Sequence, residues 1–122
     1  MVHVDSTIHN EKILDVNDKQ IRTDKEGYII NIDEWTEDFA IALAEAEGLK
    51  LTDEHWQVIH YIRNYFAEHR VQVQVREMIK HFKKEWGSEH GNNHYLHDLF
   101  PKGGPQKQGN RCAGIHRTRG EH

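Results

Sequence analysis

Residues 51–66 read LTDEHWQVIHYIRNYF, and they carry the clearest helical pattern of the chain. Thr52 stands before Asp53 and Glu54, which is typical of a helix start: a hydroxyl can accept an unpaired amide N–H, and early carboxylates suit the positive end of the helix dipole. Apolar side chains then recur every three or four positions, on one helical face. They are Trp56, Ile59, Ile62, Tyr65 and Phe66. The pattern predicts a helix from Asp53 to about His69 with one buried face.

Helical patterns continue on both sides of this stretch. Apolar residues keep helical spacing after Asp33, and Gly48 is placed to end that helix. Downstream, valines at 71, 73 and 75 form an extended link before a third helix that stops near Gly87, and a fourth helix over residues 93–99 is ended by Pro101. These segments predict a small orthogonal helical bundle over residues 33–100. The expected core consists of Trp35, Phe39, Trp56, Ile59, Phe66, Ile79 and Phe82.

Residues 13–32, ILDVNDKQIRTDKEGYIINI, have a different pattern. Short β-branched and aromatic runs are separated by Asn-Asp and Lys-Glu-Gly, which is typical of an antiparallel hairpin. We therefore predict a mainly α (α+β) fold of one domain, with a β-hairpin at residues 13–32 before the bundle. Residues 1–12 are expected to form a flexible N-terminus.

The end of the chain, residues 101–122, lacks a long apolar pattern. From residue 102 it reads KGGPQKQGNRCAGIHRTRGEH, with four of the nine glycines between residues 103 and 114. Glycine gives access to many backbone states, and few large apolar anchors are present. The composition predicts a mobile C-terminal arm.

Composition limits the classes of protein to consider. A chain of 122 residues with 36% apolar residues, three Trp and a mean hydropathy of −0.88 is expected to fold as a soluble, cytoplasmic domain. No apolar run is long enough for a membrane helix. The single cysteine, Cys112, excludes an internal disulfide and a cysteine-based zinc finger.

Charge is distributed unevenly along the chain. Residues 1–61 hold 14 Asp and Glu against 5 Lys and Arg, a balance of −9, whereas residues 62–122 hold 6 against 11, a balance of +5. Such polarity can steer an acidic partner toward the basic half, although a solvated surface without a partner explains the charge equally well.

Three motifs in order carry a family resemblance. They are DKEGYIINIDEW at residues 24–35, the helix motif at residues 51–66, and LFPKGGPQKQGNRCAGI at residues 99–115. Together they resemble the DsrC/TusE/DsvC family of sulfur-relay proteins over residues 18–114. The resemblance implies a helical bundle with an N-terminal hairpin and a C-terminal arm that inserts into a partner, either dissimilatory sulfite reductase or a TusBCD/DsrEFH-like sulfurtransferase. It further implies a cytoplasmic monomer that carries sulfur as a persulfide without a cofactor, catalysis belonging to the partner.

The resemblance also assigns positions in the arm. Asn110 stands at the family's upstream cysteine position and Glu121 at its penultimate cysteine position, so Cys112 is the remaining candidate persulfide acceptor. The basic neighbours of Cys112 are expected to lower its pKa and keep it exposed. Alternatively, Cys112 packs in the core as a small apolar residue, or it joins two chains by oxidative dimerisation. Contact with the partner is expected from Lys107, Gln108, Arg111 and Arg117.

The sequence also allows other functions. His94 and His97 are spaced to share one face of a helix, with His90 close before them, but no acidic or thiolate ligand has regular spacing with them, so no metal site is predicted. Helices at residues 53–69 and 73–85 imitate a helix-turn-helix, which makes nucleic-acid contact a weaker hypothesis. The alternative function is a non-transferring regulatory paralogue that keeps the docking fold.

Overall fold

The computed structural model describes residues 11–115 and opens on a β-hairpin. Strand β1, Glu11–Val16, pairs antiparallel with β2, Lys19–Asp24. Asn17 and Asp18 form the two-residue turn with φ of 50° and 68°, a conformation that Asn and Asp tolerate better than most residues. The prediction of a hairpin is confirmed, but its bounds are residues 11–24 and not 13–32: β1 begins at Glu11, within the predicted flexible N-terminus, and β2 ends at Asp24. Residues 1–10 lie outside the described residues.

Helices make up most of the remaining described chain, which confirms the mainly α fold. A short 3-10 helix, Ile32–Glu34, leads to α1, Glu37–Ala46, α2, Asp53–His69, α3, Val75–Trp86, α4, Asn93–Leu99, and α5, Gly104–Cys112. Helix α1 begins at Glu37, not directly after Asp33, because the Thr36 hydroxyl accepts the Phe39 amide N–H at 3.1 Å. None of the described helices is both long and apolar enough to span a bilayer.

The core lies between the hairpin and the helices. Phe39, Ile59 and Phe82 are fully buried in it as predicted. Trp35, Trp56, Phe66 and Ile79 are only partly buried and pack against its edge. At the start of α2, His55 and not Trp56 faces inward: its Nδ1 accepts the Thr52 N–H at 3.0 Å, and its Nε2 meets the Leu99 carbonyl at 2.6 Å.

The predicted free arm from residue 101 onward is wrong for residues 104–115. Residues 104–112 form α5, which packs on α1, α2 and α4, and residues 108–115 are all buried. Composition misled the prediction because glycine here allows close packing instead of backbone freedom. Arg117 and Glu121, together with the rest of residues 116–122, lie outside the described residues.

Candidate functional site

Helix α5 reaches its place through glycines that accept positions closed to other residues. Gly103 and Gly104 have φ of 113° and 83°, and a Cβ on Gly104 would stand 2.6 Å from the His97 ring nitrogen. Gly109 passes so close to α2 that its Cβ would lie 3.0 Å from Ile62 Cδ1. Small residues therefore let the backbone of α5 approach the bundle directly.

Glu47, just after α1, holds the middle of α5. Its carboxylate accepts two hydrogen bonds from Arg111, from Nε at 2.9 Å and Nη2 at 3.2 Å, and one from Gln108 Nε2 at 2.8 Å. Arg111 also donates to the Lys102 carbonyl at 2.7 Å, while Lys102 N–H donates to Gln108 Oε1 at 2.9 Å. The Arg111 and Glu47 side chains are only 10% and 16% exposed, so the charges are nearly removed from water but fully paired.

This pairing decides the protonation of the cluster. Burial alone would lower the pKa of Arg111, but the hydrogen bonds and charge of Glu47 outweigh burial and raise it. The guanidinium also lies 5.7 Å from the ring centre of Tyr28. Arg111 therefore remains a cation, and its two-point contact with Glu47 fixes the orientation of α5.

The residues after α5 are held by Trp35 and Arg63. Trp35 Nε1 donates to the Cys112 carbonyl at 2.8 Å, and Arg63 Nη1 donates to the Ala113 carbonyl at 2.8 Å. The Arg63 guanidinium itself stacks 3.8 Å above the Trp35 ring. Gly114 has φ of 71°, and a Cβ there would overlap Trp35. The chain is thereby fixed up to Ile115, which is also buried.

Cys112 lies in the core, as in the alternative in which it packs as a small apolar residue. Its side chain is fully buried, and burial raises the pKa of the thiol to about 12; the Glu47 charge adds to this effect and Arg111 offsets part of it. The expectation of an exposed thiol with a lowered pKa is wrong, because α5 turns the sulfur into the core. Such a thiol is protonated near neutral pH and is a poor nucleophile in this arrangement.

The other predicted site residues are divided between interior and surface. Gln108 and Arg111, expected to contact a partner, make their polar contacts within the chain, whereas Lys107 is exposed. Asn110 is fully buried, and neither polar atom of its amide has a hydrogen-bond partner. The position implied for the upstream cysteine is thus an interior one.

Sequence reasoning missed Glu47, Trp35 and Arg63 as the anchors of the C-terminal segment, residues 104–115. Glu47 was one of many carboxylates in the acidic half, and its only distinguishing signal is a place at the end of an apolar helix beside Gly48. The sequence predicts only a core position for Trp35. The signal for its further role is its indole N–H, which needs a hydrogen-bond partner when it is buried.

His90, His94 and His97 each contact a residue other than a metal ligand of a shared site. His90 pairs with Glu54 at 3.0 Å, His94 with Asp98 at 3.2 Å, and His97 Nδ1 lies 2.9 Å from the Asn93 carbonyl. Across residues 11–115, no group of three or more His, Cys, Asp or Glu side chains is arranged to hold a metal ion.

Comparisons with known proteins agree on one family. The family model described as DsrC like protein matches residues 15–120. The chain is 38% identical over 103 residues to the sulfurtransferase TusE homolog of Haemophilus influenzae, covering 84% of this chain and 94% of the relative, and 40% identical over 97 residues to sulfurtransferase TusE of Escherichia coli, covering 80% and 88%. The crystal structure of the oxidized gamma-subunit of the dissimilatory sulfite reductase (DsrC) from Archaeoglobus fulgidus superposes with a TM-score of 0.80 at 38% identity, covering 87% of this chain and 96% of that one.

Proposed function

Because the chain belongs to the DsrC-like family of sulfur-relay proteins, we propose that it docks onto a sulfurtransferase of the TusBCD/DsrEFH type or onto a dissimilatory sulfite reductase. The names of its relatives support these two partner classes. The docking element is the C-terminal part of the chain. The observation that carries the proposal is the anchoring of residues 104–115 by Glu47, Trp35 and Arg63, which fixes the point from which the chain continues after Ile115.

The burial of Cys112 favours docking without sulfur carriage on this thiol. In sulfur transfer, a thiolate attacks the outer sulfur of a donor persulfide, the S–S bond of the donor breaks as the new S–S bond forms, and the donor leaves as a thiolate. The attacking thiolate must come within about 3–3.5 Å of that sulfur. Cys112 meets neither condition while α5 is docked, since it is protonated and inaccessible. Loading of Cys112 would therefore require α5 to leave the bundle.

Partner binding is tested with purified proteins of both partner classes. Deleting residues 116–122 should weaken binding to the true partner by about tenfold or more, because a short docking segment concentrates the binding energy in few contacts. Calorimetry with the full chain and the truncated chain gives the comparison. Equal affinities, or no binding of the full chain to either class, would contradict the docking proposal.

Sulfur carriage is tested separately with a persulfide donor and mass spectrometry. We expect the reduced native protein to gain no sulfur atom, and Cys112→Ser to behave identically. Restoring thiols at the two family positions, Asn110→Cys with Glu121→Cys, should create loading, while the matched Asn110→Ser with Glu121→Ser should not. Rapid loading of Cys112 in the native chain would show that this thiol is the carrier.

A further inference from the structure

A surface groove along α3 lies apart from the C-terminal segment. It encloses about 610 Å³ and is lined by four cations, Arg76, Lys80, Lys83 and Lys84. The residues that line it lie on α3, apart from Tyr61 on α2, and none of them lies on α5. We infer that the α3 groove is a second docking surface, which binds a carboxylate-rich segment of a partner protein.

The cations of the groove are available to a ligand. All four are exposed, and none forms an ion pair with another residue in the described part of the chain. Lys83 and Lys84 lie in the last turn of α3, where cations stabilise the helix through its dipole. Arg76 lies in the first turn, where the same dipole disfavours a cation. The helix dipole therefore explains the cations at Lys83 and Lys84 but does not explain the one at Arg76.

Aromatic and apolar side chains also line the groove. The Tyr61 and His81 rings stack with centroids 4.3 Å apart, and half-buried Ile79 is a further lining residue. Tyr61 and His81 also border a second groove of about 400 Å³, which extends the surface along α2. An extended peptide fits this arrangement if its carboxylates meet the lysines while an apolar side chain covers the rings.

Charge favours an acidic protein segment over nucleic acid. The chain has a net charge of −4, and its first 61 residues carry −9, so its overall field repels a long polyanion. Glu77 lines the groove itself, and Glu85 borders the adjoining one. A protein segment with a few carboxylates can pair with the four cations and avoid these two glutamates, whereas a regular phosphate backbone cannot choose its charge spacing.

The test is a titration of the full chain with a short fluorescent peptide of glutamates around a central leucine. We expect saturable binding that weakens as salt rises, with amide NMR shifts concentrated on residues 76–84. Replacing two groove cations, K80E with K83E, should weaken binding by about tenfold or more. The matched control is K12E with K19E on the exposed hairpin, which changes net charge equally and should leave affinity almost unchanged.

Three outcomes would overturn the inference. Equal weakening by both pairs of substitutions would show attraction by net charge alone. Binding of a labelled single-stranded oligonucleotide in preference to the peptide would assign the groove to nucleic acid. Absence of any saturable binding at low salt would show that it is not a docking surface. None of these results depends on residues 116–122 or on Cys112, so they are distinguishable from failure of the proposed function.

Discussion

Helix α2 and helix α5 both bury one side against the bundle, but they do so by different means. Helix α2 presents Val58, Ile59 and Ile62, whose apolar side chains are removed from water. Helix α5 buries Gln108, Asn110 and Arg111 along with glycines. Burial of α2 rests on apolar surface, whereas that of α5 rests on close backbone approach and on the hydrogen bonds of Gln108 and Arg111. A segment that packs on the bundle can therefore have the glycine-rich, polar composition of a free one.

The largest effect is expected from removing apolar contacts of α2. Ile59→Ala should lower the free energy of unfolding by about 2–5 kcal/mol, because it leaves a cavity in the core. Ile41 is 46% exposed, and Ile41→Ala should cost less than about 0.5 kcal/mol. Denaturant unfolding measures both variants. If both variants lost the same free energy of unfolding, the burial of Ile59 on α2 would not be a main source of stability.

The charge pair of α5 should give the next largest effect. Glu47→Gln leaves Arg111 nearly buried without its carboxylate, and we expect the free energy of unfolding to fall by about 3 kcal/mol. Glu45→Gln, two positions earlier and on α1, is the matched control, since Glu45 is exposed and should change stability by less than about 0.5 kcal/mol. If Glu47→Gln cost no more than the control, the polar anchor would have no role in docking α5.

Glycine in the C-terminal segment gives a third comparison. Gly114 and Gly48 both have positive φ, at 71° and 79°, but a Cβ on Gly48 meets nothing within 4 Å while one on Gly114 overlaps Trp35. Gly48→Ala should therefore cost about 1 kcal/mol for backbone strain alone, and Gly114→Ala about 1–2 kcal/mol more. Thermal unfolding of both variants is the check. If both variants lost the same free energy of unfolding, Trp35 would not lie close enough to Gly114 to exclude a Cβ there.

These contrasts explain how far the sequence could predict the molecule. The bounds of α2 and α4 and the Asn17-Asp18 turn follow from local patterns of caps, apolar spacing and turn residues, which act over a few positions. The anchors of α5 join residues far apart in the chain, such as Glu47 with Arg111 and Trp35 with Cys112. No local pattern records such pairs. Burial of Cys112 was one of the alternatives given by the sequence, and the tertiary placement of α5 was needed to choose it over an exposed thiol.

The smallest effect concerns the contact between α2 and α4. Burial alone would raise the pKa of Glu54, but hydrogen bonds from Tyr95 and His90 outweigh it and lower the pKa below its ordinary value of 4.5. A lowered folded-state pKa adds stability above the unfolded-state pKa, and this stability is lost as pH falls through the folded-state pKa. We expect about 1 kcal/mol or less to disappear as pH drops below 4.5. Glu54→Gln should reduce this acid dependence; an unchanged pH profile would contradict it.

Residues 104–115 dock on the bundle and enclose Cys112. The most direct measurement is the rate at which Cys112 reacts with iodoacetamide at constant pH, in the native chain and in denaturant. We expect a native rate slower by on the order of a hundredfold or more, because the thiol is buried and protonated. Glu47→Gln should raise the native rate by loosening α5. A native thiol that reacts as fast as the unfolded one would show that the C-terminal segment is a free arm.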